Sequence, residues 1–338
     1  MKTVQELEAK LAQPSEALIN DMANLEGDIM LLGIGGKMGP SLARLAMNAI
    51  KEAGVDKKVY GASRFSSGGL REELEGDGVK TFAVDLLDDE QLRGLPDVKN
   101  IIYMAGNKFG TTGNEHFTWA MNSYLPGRVA EKYRDSRIVV FSTGNVYPIT
   151  PVHQGGATES TPPASVGEYG QSSLGRERVF TYFSHKYNIP MAIYRLNYAI
   201  DMRYGVLLEI AKSVKAGKPI DITMGHANVI WQGDANEIAI RCLNHCSTPP
   251  AVFNVTGPET LSLRWVANEF GSRLGVEPVF EGSESDTALL SNSSKASRTF
   301  GYPKVSVLQM IDWIAEWVEA DGHTWNKPTH FQEREGKF

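Results

Sequence analysis

Apolar residues gather in short unbroken runs, and the stretches between them carry helical spacing. The first run is Ile29-Met30-Leu31-Leu32, bounded by Asp28 and Gly33. It has the pattern of a strand buried on both faces. Leu42, Leu45, Ala46, Ala49 and Ile50 follow it and line one side of a helix. The alternation then repeats. Val59-Tyr60 begins a second strand, Thr81-Phe82-Ala83-Val84 gives a third and Asn100-Ile101-Ile102-Tyr103-Met104 a fourth. After a helix around residues 115–133 come Arg137-Ile138-Val139-Val140-Phe141, Met191-Ala192-Ile193-Tyr194 and Val252-Phe253-Asn254-Val255. Strands that are apolar throughout and separated by helices predict an α/β fold with a doubly wound parallel sheet covered on both faces.

Ahead of the first strand, residues 1–26 predict a helical extension packed on the surface. Pro14-Ser15-Glu16 marks a helix start, with Leu18, Met22 and Leu25 near helical spacing. After about residue 200 the rhythm loosens. Helices near 205–216, 262–274 and 305–320 predict a smaller C-terminal lobe, the last with Leu308, Ile311, Ala315 and Val318 on one face. The expected division is 1–26 for the extension, 27–203 with 228–258 for the sheet domain, 204–227 with 259–320 for the smaller lobe, and 321–338 for a polar, extended tail.

Composition narrows the class. The 338 residues are 42% hydrophobic, enough for a large core. The net charge is −6 and there is no long basic run, so a nucleic-acid partner is not expected. No apolar run approaches bilayer length, and the N-terminus lacks a leader-like apolar region, so a cytoplasmic protein with no membrane partner is expected. Cys242 and Cys246 stand four residues apart in a helical pattern. That spacing suits a disulfide poorly and fits two packing thiols in a reducing compartment. Seven histidines occur without an HxxxH or CxxC pattern, so no metal site is expected.

The chemistry begins directly after the first strand, at Gly33-Ile34-Gly35-Gly36-Lys37-Met38-Gly39. Gly33 permits a tight turn, Gly36 lets a pyrophosphate approach the backbone, and Gly39 lets helix and strand pack closely. The following helix presents free N–H groups and its positive dipole end to phosphates, and Pro40 just inside it removes no needed donor. A dinucleotide is therefore expected over Gly33, Gly36, Lys37, Met38 and Gly39. Where an acidic residue would bind both ribose hydroxyls of NAD, the second strand ends in Ala62-Ser63-Arg64. Ser63 removes repulsion and Arg64 can pair with a 2′-phosphate, which favours NADP over NAD. The alternative is that Arg64 is a solvated loop charge.

With these features the chain resembles the extended short-chain dehydrogenase/reductase family, the NAD-dependent epimerase/dehydratase type, from about Asp28 to Val318. Asp85-Leu86 matches the pair that contacts adenine, and Ala105-Gly106 sits where the family lines the cofactor cleft. Asn122 lies where the family has a helix asparagine. Ser142-Thr143-Gly144-Asn145-Val146-Tyr147 resembles a Ser-Ser-x-x-Val-Tyr segment, which puts Thr143 at the catalytic Ser/Thr position. Tyr169 takes the catalytic tyrosine position, and Gly257-Pro258 with Leu261-Ser262-Leu263 resemble the turn and helix start after the last sheet strand. The resemblance implies a Rossmann domain with a smaller C-terminal substrate lobe. It also implies a homodimer and a carbohydrate-like small-molecule substrate.

The departures lie around the expected cleft. Ser173 stands where the family has the lysine that completes the tyrosine pair. Gly144-Asn145 replaces the Asp-Glu of the dehydratases, so elimination has no acid/base pair. Arg195 to Asp201 matches Arg-x-x-Asn-x-x-Gly only loosely, with Tyr198 on the asparagine and Asp201 on the glycine. Ala227 to Asp234 lacks the arginine that grips a nucleotide-sugar diphosphate.

A lysine about 4 Å from a tyrosine, at an effective dielectric of about 20, favours the phenolate by on the order of 4 kcal/mol. Its loss harms alcohol oxidation more than carbonyl reduction, because a protonated tyrosine is still an acid. Arg176 shares a helix face with Tyr169 and Ser173 and could reach the cleft, although a surface arginine is the expectation. Lys108 is expected to be a solvated loop lysine. His153, His226 and Glu168 are secondary candidates, and Trp231 and Trp313 are expected in the core.

The expected protein is thus an NAD(P)-dependent oxidoreductase or epimerase acting by hydride transfer on a sugar-like or sugar-nucleotide hydroxyl or carbonyl. Thr143, Tyr169 and Ser173 form the catalytic positions. Gly33, Gly36, Lys37, Met38, Gly39, Ser63, Arg64, Asp85, Leu86, Ala105 and Gly106 bind the cofactor. The alternative is a redox-silent NAD(P)-binding sensor or scaffold.

Overall fold

The computed structural model describes residues 1–66, 68–108, 110 and 113–337. Seven strands form one parallel sheet: β1 (Ile29–Leu32), β2 (Val59–Ser63), β3 (Lys80–Ala83), β4 (Asn100–Tyr103), β5 (Arg137–Thr143), β6 (Met191–Leu196) and β7 (Ala251–Val255). Their order is β7-β6-β5-β4-β1-β2-β3. The chain runs outward from β1 in one direction and returns to β4 on its other side, so the order reverses between β1 and β4. Ligands of open parallel sheets bind outside the strand ends at such a point.

The period of two along each strand divides the core. Ile29, Leu31, Ile102, Val139 and Tyr194 face one side. There they meet α2 (Glu16–Asn24), α3 (Gly39–Ala53) and α10 (Gln232–Arg241). Met30, Leu32, Ile101, Ile138 and Val140 face the other. That face is covered by α7 (Leu125–Lys132) and α8 (Gly167–Tyr187), with α5 (Asp89–Gly94) and α6 (Glu115–Trp119) closing its crossovers, while α4 (Leu70–Gly76) packs through Leu74 on the first face. Strands buried on both faces cannot alternate polar with apolar, which is why they read as continuous apolar runs.

The N-terminal extension is two helices. Thr3 caps α1 (Val4–Leu11) in a capping box with Glu6, and Ser15 caps α2. Leu7 and Leu11 join the core of the smaller lobe, while Leu18 and Met22 join that of the sheet. The extension therefore spans both cores.

The smaller lobe packs α9 (Val206–Lys215), α11 (Leu263–Leu274) and α13 (Val307–Glu319) around a core of their own, while α12 (Ser294–Phe300) lies on β7. The stripe expected on α13 is corrected at one position: Leu308 is 49% exposed. The helix starts at Val307 under the Ser306 cap. Its buried side runs through Val307, Met310, Ile311, Ile314, Ala315 and Val318, and Leu308 lies about 100° off that line. The tail has no helix or strand among its described residues and is docked on the body of the protein. Trp325 N–H donates to Arg203 O at 3.1 Å, Thr329 is buried, and Arg334 donates to Thr287 Oγ1 at 2.6 Å. No helix among the described residues is long and apolar enough to cross a membrane.

Candidate active site

The turn after β1 has the geometry its glycines suggest. Gly33 has φ +92°, and a Cβ there would lie 2.7 Å from Ala105 N, so the β1 and β4 ends approach at backbone distance. A Cβ on Gly39 would lie 2.0 Å from Ile34 O, which fixes the close packing of α3 on the turn. Gly36 is different. It is exposed, and its Cβ would meet nothing nearer than Gly33 O at 3.4 Å. This open backbone at the start of α3 is a cradle of the shape a diphosphate needs, so the residues fit a dinucleotide.

Further along the strand ends, Ser63 closes β2, and its Oγ would lie 2.6 Å from a Cβ on Gly35. The hydroxyl therefore sits against the glycine turn. Arg64, the next residue, is exposed. The Asp85 carboxylate accepts from Leu87 N–H at 3.0 Å, which shapes the turn after β3, and Leu86 is buried there. Ala105 is buried beside Gly33, and Gly106 is exposed to the cleft.

One cleft of about 450 Å³ connects the two ends of this surface. Gly33, Gly36, Lys37 and Met38 line it at the glycine turn, Gly106 and Lys108 after β4, and Thr143 and Tyr169 at the far end. Thr143 is the last residue of β5. Its Oγ1 accepts from Asn145 N–H at 3.2 Å and from Asn145 Nδ2 at 3.1 Å. Tyr169 stands in the first turn of α8. The strand end and the helix start thus bring together two residues 26 positions apart in sequence.

Ser173 is not among the residues lining this cleft. It is fully buried, and its Oγ has no hydrogen-bond partner. The surface position expected for Arg176 is corrected, since it is 6% exposed. Its Nη1 donates to Phe141 O at 2.8 Å and its Nη2 to Asn122 Oδ1 at 2.7 Å. Asn122 lies in a π-helical turn, Ala120–Tyr124, inserted between α6 and α7. Its Oδ1 also accepts from Asn107 N–H at 2.8 Å, and its Nδ2 donates to Ser172 Oγ at 2.9 Å. Such turns place one side chain out of helical register, here fully inward. Ser172, rather than Ser173, therefore makes the contact from α8 to this asparagine.

Behind Thr143 a second buried network fixes the strand end. Glu177 accepts from Ser142 Oγ at 2.5 Å and forms a bidentate pair with Arg195 at 2.9 and 2.6 Å. Arg195 also donates to the Tyr147 hydroxyl, which donates to Asn254 Oδ1 at 2.8 Å. This chain ties β5, β6, β7 and α8 together directly behind the cleft.

The solvated position expected for Lys108 is corrected as well. Lys108 is half-buried in the cleft, with Nζ 5.6 Å from the centroid of the Tyr169 ring. Burial lowers it to about 8. Lys37 reaches across the cleft to the smaller lobe, where its Nζ lies 3.2 Å from the centroid of the Tyr204 ring. Burial, then repulsion from Lys108 and Lys327, lowers it to about 7. Glu209 of α9 accepts from the backbone N–H of Thr329 and from its Oγ1, the latter at 2.9 Å, and burial raises its pKa. The tail thereby brings Thr329 to the cleft wall.

Asn107, Asn145, Asn197, Tyr204 and Thr329 also line the cleft, and nothing in their spacing in the sequence marks them. Tyr198 lines it with φ +44°, an uncommon backbone conformation for a bulky residue. His153 and His226 are not among the lining residues, and Glu168 instead accepts from Trp119 Nε1 at 2.5 Å. Trp231 is a core residue with Trp313 against it at 5.4 Å. Cys242 and Cys246 are free thiols. Among the described residues no group of three or more His, Cys, Asp or Glu side chains could hold a metal ion.

Solved structures share this fold at low identity. The UDP-glucose 4-epimerase of Thermotoga maritima, solved with UDP-glucose, is 15% identical at a TM-score of 0.68, covering 87% of this chain and 99% of that one. The UDP-glucuronic acid 4-epimerase of Bacillus cereus, solved with NAD, is 18% identical at 0.70, covering 86% and 98%. The UDP-glucose 4-epimerase of Thermus thermophilus, also solved with NAD, is 18% identical at 0.68, covering 86% and 98%. These likenesses establish the architecture. No curated protein matches the chain. Residues 29–255, from the start of β1 to the end of β7, match the NAD dependent epimerase/dehydratase family, and the chain belongs to that family.

Proposed function

We propose that this protein is an NAD(P)-dependent epimerase or oxidoreductase acting on a sugar-like hydroxyl or carbonyl. One observation carries the reading: Thr143 and Tyr169 line the same cleft as the open glycine cradle. A nicotinamide dinucleotide bound there supplies the hydride acceptor and donor. The Tyr169 hydroxyl moves the proton at the substrate oxygen, and the Thr143 hydroxyl hydrogen-bonds that same oxygen. Asn145, donating to Thr143, fixes the orientation of this hydroxyl. No carboxylate stands at Gly144 or Asn145, so the reading favours hydride transfer over elimination. Ser173 belongs to the second layer in this reading, as packing behind Tyr169.

The absence of an acidic residue at the end of β2, with Arg64 exposed beyond it, supports NADP over NAD. Tyr124 and Tyr182, 57% and 59% exposed on neighbouring helices, support a homodimer formed through that face. The small-molecule substrate is carbohydrate-like and the setting cytoplasmic.

The test is direct. Melting curves are recorded with NAD and NADP, and turnover is followed by nicotinamide absorbance with a panel of sugars and keto-sugars. Tyr169→Phe is expected to lower turnover by about 10²–10⁴-fold while leaving dinucleotide stabilisation intact. Stabilisation without turnover, in both the wild type and Ser173→Lys, would point to the redox-silent alternative. If neither dinucleotide shifts the melting curve, the reading is wrong.

A further inference from the structure

The C-terminal tail crosses from one wall of the cleft to the other. On the smaller lobe, Thr329 is bonded to Glu209 of α9 and lines the cleft, and Phe331 is buried in the core of that lobe. Arg334 extends the attachment, donating to Thr287 O at 3.0 Å and to Thr287 Oγ1 at 2.6 Å. Gly336 then meets the sheet domain at Gly167, the first residue of α8. A Cβ on Gly167 would lie 2.2 Å from Gly336 O, and a Cβ on Gly336 would lie 2.5 Å from Val166 O. Both glycines have positive φ, +73° and +77°. Each therefore admits the other's backbone at a distance no side chain allows. This seat lies two residues before Tyr169, in the first turn of the same helix. The segment from Thr329 to Gly336 thus spans the catalytic end of the cleft.

The two ends of this segment are held differently. The lobe end is anchored by the Glu209 carboxylate on Thr329 and by the apolar packing of Phe331. Beyond Phe331 the described residues are Gln332-Glu333-Arg334-Glu335-Gly336-Lys337, with no apolar side chain to bury. Gln332, Glu335 and Lys337 are exposed, so water lies along the outer side. Lifting this stretch off Gly167 uncovers little apolar surface, which puts it at the low-stability end of the fold. We propose that residues 332–337 are a strap over the catalytic end of the cleft, opening at the Gly167–Gly336 seat while the Thr329 and Phe331 anchor stays in place. A ligand passes the strap to reach or leave Tyr169, and the closed strap keeps water from the reacting atoms. This rests on the proposed function for the ligand and adds a device that controls its passage.

The experiment follows the fluorescence of NADH or NADPH on rapid mixing with the protein, and again on displacement by excess oxidised dinucleotide. The full chain is compared with a chain ending at Gln332 and with Gly336→Ala, whose methyl would strike Val166 O. Both variants keep the Thr329 and Phe331 anchor, so folding is retained. A strap that closes equally over the empty and the filled cleft slows entry and exit by the same factor. The association and dissociation rate constants should therefore both rise about tenfold or more in the shortened chain, with the dissociation constant moving less than about threefold. Gly336→Ala should move both rates in the same direction. Rates equal to those of the full chain in both variants would overturn the strap and leave the proposed function standing. So would faster dissociation with unchanged association, because the segment would then be a binding wall and not a gate. If neither NADH nor NADPH binds either chain, the proposed function and the strap fail together.

Discussion

Arg176 Nη2 lies 2.7 Å from Asn122 Oδ1, and a Cβ on Gly106 would fall 2.4 Å from that same nitrogen. The guanidinium therefore fills the space behind the cofactor wall, one turn beyond Ser173. Its charge is committed to Phe141 O and Asn122 rather than to the Tyr169 hydroxyl. In this chain α8 holds the wall with an arginine and leaves the cation beside Tyr169 to Lys108.

Arg176→Met should therefore act first on stability. It removes two charge-assisted hydrogen bonds from buried acceptors, an expected loss of about 1–3 kcal/mol in urea unfolding. Dinucleotide affinity should fall with it, because Asn122 also holds Asn107 at the cleft. An unchanged unfolding midpoint would mean that the guanidinium is not holding this wall.

The glycine turn gives a pair of substitutions with opposite outcomes. Gly39→Ala drives a methyl into Ile34 O and should cost at least about 3 kcal/mol or prevent folding. Gly36→Ala meets only Gly33 O at 3.4 Å, so stability should stay within about 0.5 kcal/mol. The same methyl would stand where a phosphate approaches, so dinucleotide affinity should fall about tenfold or more. Chemical unfolding and calorimetry read the two effects separately.

The contribution of Lys37 and Lys108 to the stability of the free protein should rise as pH goes from about 7 to about 10. Folding lowers Lys37 from 10.5 to about 7 and Lys108 from 10.5 to about 8. Between the folded and unfolded values the unfolded chain binds more protons on these groups, so their penalty against folding shrinks as pH rises. The charged and titratable groups around them are Tyr169, Tyr198, Tyr204, Glu209, Lys327 and His330. Lys37→Gln and Lys108→Gln should each flatten the slope of unfolding free energy against pH in this window. Slopes identical to the wild type would contradict the burial of the two ammonium groups.

Ending the chain at residue 323 removes the Thr329 bonds to Glu209 and those of Arg334 to Thr287. The melting temperature should fall by about 2–6 °C. Ligand affinity should weaken, because Thr329 forms part of the cleft wall. A truncated protein with unchanged ligand affinity would show that the tail is only a packing element.

The inner strands β1, β4 and β5 were legible because burial on both faces leaves no choice but continuous apolar runs. Gly33 and Gly39 were legible because backbone contact admits no other residue. Ser173 could be read as a missing lysine, but the position of its neighbours could not. Arg176 and Lys108 both read as ordinary surface cations, because a long flexible side chain carries no sign of the direction it takes. Asn122 was placed on a helix, whereas the π-turn that aims it inward depends on what packs around it. Leu308 fitted a helical stripe that began one residue away from the true one.

By itself, then, the sequence determined the parallel sheet, the glycine cradle between β1 and α3, and the positions of Thr143 and Tyr169. The sheet and the cradle follow from local rules, strand burial and backbone contact, whereas Thr143 and Tyr169 were placed by the resemblance of their segments to the family. The tertiary structure decided which charges face the cleft. It turned Arg176 behind the wall, laid Lys108 on Tyr169, carried Lys37 across to Tyr204 and docked Thr329 against Glu209. These outcomes depend on partners far apart in the chain, and a side chain's environment exists only once those partners have met.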